Sequence, residues 1–188
     1  MKNDQQEAFE RALTLSLSRV VEFLKFAETK NAALLTFASA SIVASVSNLN
    51  NIALADDWKI AFTFALPLFV LAALIALYSF LPKTLLNHFH KDPDQSKALL
   101  YFGDAATFAP AAYKQRVWER YYPPENESVT QNYLDDLAIQ IAVNSQITKR
   151  KLVIFNIGAL IIFLAILIVG TPGILNLWRL LSSLVGRL

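Results

Sequence analysis

Residues 60–81, IAFTFALPLFVLAALIALYSFL, form a 22-residue apolar stretch without a charged side chain. A helix rises about 1.5 Å per residue, so this stretch would be about 33 Å long, against a bilayer hydrocarbon core of about 30 Å. The stretch is therefore long enough to cross a membrane. A buried helix of a soluble protein is less favoured, because a chain of 188 residues offers little protein to surround it.

Two further apolar stretches predict membrane spans. Residues 31–48, NAALLTFASASIVASVSN, lie at the lower limit of length for a span, and residues 152–169, LVIFNIGALIIFLAILIV, form a strongly apolar one. The sequence GTPG at residues 170–173 predicts the end of the last helix, because glycine and proline are typical of helix ends. The tail, residues 170–188, is predicted to be amphipathic and to lie in the far membrane interface.

The polar segment before the first span also has a helical pattern. In residues 1–30 apolar residues recur at steps of three and four, which is typical of one face of an amphipathic helix. These residues are Phe9, Leu13, Leu17, Val20, Leu24 and Ala27. A packing face within the protein is favoured over a membrane-surface helix, because the acidic residues of this segment balance its basic ones.

Residues 82–151 form the second polar segment, in which prolines and glycines separate short elements. A proline in the first turn predicts a helix over 110–121, and the run LLYFGD at 99–104 predicts a short strand or an extended lid. The sequence SVTQ at 128–131 has the spacing of a capping box and predicts the start of a long helix. That helix is predicted to continue through the basic residues 149–151 into the third span.

Together these patterns predict an all-α membrane protein with three transmembrane helices and a helical cytosolic region, built from long helices that are continuous with the spans. The predicted segments are a cytosolic amphipathic helix (1–30), the first span (31–48), the second span (60–81), a cytosolic ligand-sensing region (82–151), the third span (152–169) and an interfacial tail (170–188).

Basic residues are concentrated in two of the polar segments. Of the 17 lysines and arginines, 14 lie in residues 1–30 and 82–151, and only three lie in residues 49–59 and 170–188. Because such residues accumulate on the cytoplasmic side of membranes, the N-terminus and Lys83 are predicted to be cytoplasmic. A net charge of +2 is too small to indicate binding of a nucleic-acid polymer.

The sequence contains no recognisable arrangement of catalytic residues. It has no cysteine, which excludes disulfides and thiol catalysis, and it has no phosphate-binding glycine loop, nucleophile elbow or metalloprotease motif. His88 and His90, the only histidines, are two residues apart and would point to different sides of a helix. An interface or solvent role is favoured for them over metal binding. We therefore expect no enzymatic activity, no metal site and no cofactor.

A line of polar side chains precedes the third span. Asp136, Gln140 and Asn144 fall at intervals of four on one helical face, and Lys149 and Lys151 follow near the membrane. Amide side chains can donate to and accept from the edge of a base, and lysine can bind a phosphate. The alternative is a solvated surface whose lysines anchor the helix at the membrane interface.

Three short sequences resemble the transmembrane effectors of the Pycsar bacterial antiphage systems. They are AETKNAALL at 27–35, YFGD at 101–104 and DDLAIQIAVNSQITKRK at 135–151. The resemblance implies a defence protein: a partner uridylate or cytidylate cyclase makes cyclic UMP or cyclic CMP during phage infection. The membrane effector then impairs the inner membrane and stops the infected cell.

On this interpretation the cytosolic helices pack around the cyclic nucleotide in a homo-oligomer. Phe102 or Tyr101 would stack on the base, and the lysines would neutralise the single phosphate. The predicted ligand-binding residues are Lys30, Phe102, Asp104, Gln140, Asn144, Lys149 and Lys151.

Two other classes of function stay open at this point. A structural or assembly subunit would use its helical face and its spans to bind a larger membrane partner. A small channel or transporter is disfavoured, because no predicted span contains an ionisable residue of the kind that marks a transport path.

Overall fold

The computed structural model describes residues 2–81 and 99–185, and all regular secondary structure within those ranges is helical. The helices are α1 (Lys2–Leu49), α2 (Asp56–Phe80), α3 (Phe102–Ala105), α4 (Pro110–Tyr121) and α5 (Gln131–Val185). α1, α2 and α5 are each long and apolar enough to cross a membrane. The predicted all-α membrane protein with three spans is therefore confirmed. The predictions for Lys83, His88 and His90 concern residues outside the described ranges.

The long helices extend beyond their apolar parts. α1 contains both the predicted polar helix and the first span, and α5 contains the polar segment that precedes the third span. Neither helix is interrupted at the border between the two parts. The prediction that long polar helices continue into the spans is confirmed.

The chain divides into two compact units. We call the first the polar unit, formed in the described ranges by residues 2–26 and 99–150, and the second the spanning unit, formed by residues 27–81 and 151–185.

In the spanning unit the three apolar helices meet mainly through small side chains. Alanine side chains are abundant in this cluster, and they let helix backbones approach closely in a membrane. The buried residues of the cluster are Leu34, Ala38, Ala65, Phe69, Ala72, Ala73, Ala76, Ile162 and Ala165. Gly158 serves the same purpose, because a Cβ atom there would lie 2.6 Å from the Leu34 side chain.

The predicted packing face of α1 is correct in its middle and wrong at its beginning. Leu13, Leu17, Val20 and Leu24 are partly buried and Ala27 is fully buried. Phe9, in contrast, is exposed. Helical spacing identifies a possible face, but it does not tell how far along the helix that face is covered.

The beginning of α5 differs from the predicted capping box. α5 starts at Gln131, and the Thr130 hydroxyl accepts a hydrogen bond of 3.2 Å from the Tyr133 backbone N–H. Thr130 is therefore the N-cap residue, and the prediction of a cap at Ser128 is wrong. Threonine and serine both cap helices well, so the sequence SVTQ offers two candidates that local spacing cannot separate.

The prediction that residues 170–173 end the third apolar helix is also wrong, because α5 continues to Val185. Pro172 has no N–H for the carbonyl of Ile168, four residues earlier. The Thr171 hydroxyl donates to that carbonyl at 2.7 Å and replaces the missing donor. Membrane helices tolerate proline where a side chain satisfies the freed carbonyl.

Residues 99–104 form a turn and the start of α3 rather than the predicted strand or lid. The Tyr101 carbonyl accepts from the backbone N–H groups of Asp104 and Ala105 at 3.1 and 2.9 Å. Gly103 leaves room for the Tyr101 ring, because a Cβ atom there would lie 2.6 Å from that ring. The predicted strand or lid is therefore wrong, because a short apolar run does not distinguish a strand from a helical turn.

The starts of α4 and α2 follow the expected local chemistry. Pro110 occupies the first turn of α4, as predicted, where its missing N–H costs no helical hydrogen bond. Asp56 and Asp57 lie in the first turn of α2, where negative charge is favourable at the positive end of the helix dipole.

Candidate functional site

The polar unit contains a buried carboxylate with three hydrogen-bond donors. Asp136 on α5 is only 3% exposed. Arg120 on α4 donates to it through Nε at 2.8 Å and through Nη2 at 2.9 Å, and the Tyr121 hydroxyl donates to Oδ2. This bidentate arrangement is typical of arginine–carboxylate pairs, and it holds α4 against α5.

These contacts shift the ionisation of all three groups. Burial alone would raise the pKa of Asp136, but the hydrogen bonds from Arg120 and Tyr121 outweigh it, so the pKa is lowered. Burial and the bond to Asp136 raise the pKa of the Tyr121 hydroxyl. The bond to Asp136 likewise raises the pKa of Arg120. The carboxylate is thus held in its charged form by partners within the protein.

Gln140, the next residue of the predicted polar line, also has a partner within the protein. Its Nε2 donates to the Leu100 carbonyl at 2.6 Å, and the Tyr113 hydroxyl donates to the neighbouring Leu99 carbonyl at 2.8 Å. These two bonds hold the turn that precedes α3. Asp136 and Gln140 therefore contribute to the structure of the polar unit, which helical spacing could not reveal.

The other predicted residues of the polar unit have different surroundings. Asp104 is partly buried, and its carbonyl accepts from the Thr107 hydroxyl. Asn144 is partly buried, and its carbonyl accepts from Thr148. Lys149 is exposed. Only the backbone of Phe102 is described, at the first position of α3, so the prediction that its ring stacks on a base lies outside the described side chains.

The remaining two predicted residues lie in the spanning unit, where Lys151 joins three helices. Its Nζ lies 3.1 Å from Glu28 Oε1 on α1 and donates to the Ser79 carbonyl on α2 at 3.1 Å. Lys151 itself belongs to α5. The Phe80 ring centroid lies 5.8 Å from the same ammonium group. We call Glu28, Asn31, Ser79 and Lys151 the Lys151 cluster.

Asn31 completes this cluster from α1. Its side chain is fully buried, and its Nδ2 donates to the Ala27 carbonyl at 2.8 Å and to the Lys151 carbonyl at 3.1 Å. Within the described ranges neither Asn31 Oδ1 nor Ser79 Oγ has a hydrogen-bond partner, although both atoms are buried. Unpaired buried polar atoms are rare and costly, and such atoms commonly bind an ordered water or another polar group.

Lys30 lies at the same end of the spanning unit. Its Nζ stands 5.0 Å from the centre of the Phe155 ring, within cation–π distance. The structure thus groups Lys30 and Lys151 in one unit, and the other five predicted residues belong to the polar unit. The sequence analysis did not predict that Glu28, Asn31 and Ser79 belong to this cluster. A polar residue directly after Lys30, at the start of an apolar stretch, was the available signal for Asn31.

A second polar region is a cleft of about 470 Å³ in the polar unit, lined by Glu7, Glu10, Arg11, Thr14, Leu15 and Ser128. Two carboxylates face one guanidinium there, so the charge of this cleft disfavours an anion. Within the described residues, no three side chains of the metal-ligating types come together.

These features define a membrane protein with three apolar helices and, at one end of its spanning unit, a polar cluster that contains an ion pair. Residues 12–176 match the family model described as the Pycsar effector protein domain, PycTM. The Pycsar effector protein RsPycTM of a Rhizobium species is 39% identical over 161 residues, which cover 84% of this chain and 90% of that protein. The chain therefore belongs to the PycTM family of Pycsar effectors, as the resemblance predicted. No solved structure matches it.

Proposed function

We propose that this chain is a membrane effector of Pycsar-type antiphage defence that binds cyclic CMP or cyclic UMP and then impairs the inner membrane, so that the infected cell stops growing. The similarity to the Rhizobium effector, which extends over most of both chains, is the observation that carries this proposal. Three helices of sufficient length and hydropathy provide the means to act on a bilayer. The nucleotide would come from a partner uridylate or cytidylate cyclase, and no catalytic step by this chain is required.

Lys30 and Lys151 are the residues proposed to neutralise the cyclic phosphate. A cyclic mononucleotide carries one negative charge, and lysine ammonium groups are donors without acceptor capacity. Both side chains lie at one end of the spanning unit. Roles in ligand binding for Phe102, Asp104, Gln140, Asn144 and Lys149 stay predictions from the sequence.

Helix continuity supports a direct route from ligand to membrane. α1 has no break at Lys30 and α5 has none at Lys151, so each is one helix from its polar part into its apolar part. A ligand shifts the membrane part only if it binds an altered arrangement more tightly than the resting one. A shift of either helix at its polar part would then reach the bilayer without an intervening linker.

We expect the effector to act as a homo-oligomer. Asn156 lies in the third predicted span, and its side chain is exposed. An amide that faces lipid has no water with which to form hydrogen bonds, and a helix of a second copy can supply a partner. Asn156 is therefore the residue we expect at the contact between copies.

Dye leakage from liposomes that contain the purified protein tests ligand and effect together. Cyclic CMP or cyclic UMP should cause leakage, and cyclic AMP should not. In detergent, the effective nucleotide at about 100 times its Kd should stabilise the protein by about 2.7 kcal/mol. That corresponds to a rise in melting temperature of about 5 °C or more.

Absence of both leakage and stabilisation with either pyrimidine nucleotide would contradict the proposal. Purification only together with a larger membrane protein would instead favour the assembly-subunit alternative.

A further inference from the structure

The ammonium group of Lys151 is held by oxygen atoms of two other helices. Glu28 on α1 supplies a carboxylate oxygen at 3.1 Å and Ser79 on α2 supplies a backbone carbonyl at 3.1 Å. A lysine ammonium has three donors, and these two bonds use two of them. The group that the sequence predicts to bind an anionic ligand thus already binds an anion of the same chain.

The two members of this ion pair differ in their freedom to move. The Lys151 side chain is 14% exposed, whereas the Glu28 side chain is 49% exposed. The bond from Asn31 to the Lys151 carbonyl holds the backbone of α5 at this position. Glu28 can therefore turn into water while Lys151 stays in place, bonded to Ser79.

A carboxylate and the phosphodiester of a cyclic nucleotide present the same chemistry to an ammonium group. Each carries one negative charge and oxygen acceptors that form charge-assisted hydrogen bonds. We propose that Glu28 is an internal competitor for the phosphate of the cyclic nucleotide, and that the ligand displaces Glu28 from Lys151. This inference rests on the proposed function, because it assigns the regulation of the same phosphate site.

Displacement would change how the helices of the spanning unit are connected. In the structure α1 is tied to Lys151 through the Glu28 carboxylate and through the Asn31 amide. Exchange of the carboxylate for phosphate removes the first connection and leaves the second. Ligand binding would thereby loosen α1 from α5 at one point, and part of the binding free energy would go into breaking the resting contact.

The test compares binding of cyclic CMP and cyclic UMP by the full-length protein in detergent, with isothermal titration, for wild type, Glu28→Gln and Lys151→Met. The Glu28→Gln change removes the competing charge, so Kd should fall roughly two- to five-fold, the range that a half-exposed ion pair supports. The Lys151→Met change removes the ammonium group and should raise Kd on the order of tenfold or more. Opposite effects at two contacting residues distinguish competition from loss of structure.

Asp56→Asn is the matched control. Asp56 also pairs with a lysine of the spanning unit, Lys59, at 3.6 Å, and it lies at the other end of α2 from Ser79. Loss of that carboxylate should leave Kd unchanged. A Glu28→Asp variant, which keeps the charge, should bind more weakly than Glu28→Gln.

Each outcome decides a different point. Failure of wild type to bind either nucleotide overturns the proposed function. Binding by wild type together with an unchanged or raised Kd in Glu28→Gln overturns the competition and leaves the proposed function intact. An equal decrease of Kd in Glu28→Gln and Asp56→Asn would show that the change in net charge causes the effect. That result would also overturn the competition.

Discussion

Asp136 belongs to the polar line, but it is not among the predicted ligand-binding residues. Its carboxylate accepts three hydrogen bonds from α4 and is nearly inaccessible. Buried charges persist in proteins when they are paired in this way. Asp136 therefore belongs to the framework of the polar unit.

Replacement of Asp136 by Asn should destabilise the polar unit by about 3 kcal/mol, because it leaves the Arg120 charge without its partner. Chemical unfolding can be followed by fluorescence of Trp118, which lies on α4, in a variant with the two other tryptophans replaced by Phe. Glu119→Gln is the control. Its ion pair with Arg116 is an exposed contact at 3.5 Å, so the loss should stay below about 0.5 kcal/mol.

The same contacts predict a dependence of stability on pH. The folded state lowers the pKa of Asp136, so the stabilisation is complete above the ordinary carboxyl pKa of about 4 and disappears as pH falls through the lower value. Wild type should lose stability on acidification below about pH 5, and Asp136→Asn should lose less. Parallel acid profiles for the two proteins would contradict this assignment.

Among the elements, α5 shows how one glycine can be required and another dispensable. A Cβ atom at Gly158 would meet the Leu34 side chain at 2.6 Å, and one at Gly170 would meet nothing within 4 Å. Both residues lie in the apolar part of the same helix. The difference therefore comes from α1, which packs on one of them.

Gly158→Ala should consequently be less stable than Gly170→Ala by about 1–2 kcal/mol, since overpacking costs free energy only at the first site. Both variants gain the same helix propensity, so their difference isolates the contact with Leu34. Unfolding in mixed detergent micelles measures it. Equal stability of the two variants would show that Leu34 moves aside at little cost.

At the scale of the whole molecule, the exposed amide of Asn156 leads us to expect that copies of the chain associate. Asn156→Leu should weaken self-association roughly three- to thirtyfold, which corresponds to the loss of one interhelical hydrogen bond worth about 0.6–2 kcal/mol. Light scattering in mild detergent over a range of protein-to-detergent ratios measures the effect. Asn156→Gln keeps the amide and should associate like wild type. An equal loss of self-association in both variants would mean that the shape of the Asn156 side chain, and not its hydrogen bond, holds the copies together.

Length and periodicity were enough to predict the architecture of the molecule. The apolar stretches at 31–48, 60–81 and 152–169 have the length of membrane-spanning helices, in which the backbone satisfies its own hydrogen bonds. The polar patterns before the first and third stretches have helical spacing and contain no breaker, so the continuity of α1 and α5 was also predictable.

The pairing of polar groups, in contrast, became visible only once the helices were packed. Arg120 and Asp136 are 16 residues apart, and Glu28 and Lys151 are more than 100 apart, so no local spacing connects them. The sequence around Pro172 predicts a helix end, but the Thr171 hydroxyl satisfies the carbonyl that proline leaves free. Burial of a helix face involves many apolar residues, and they recur at regular spacing that can be recognised in the sequence. A hydrogen bond or ion pair depends on two atoms at one distance, which is fixed only by the packing of the helices.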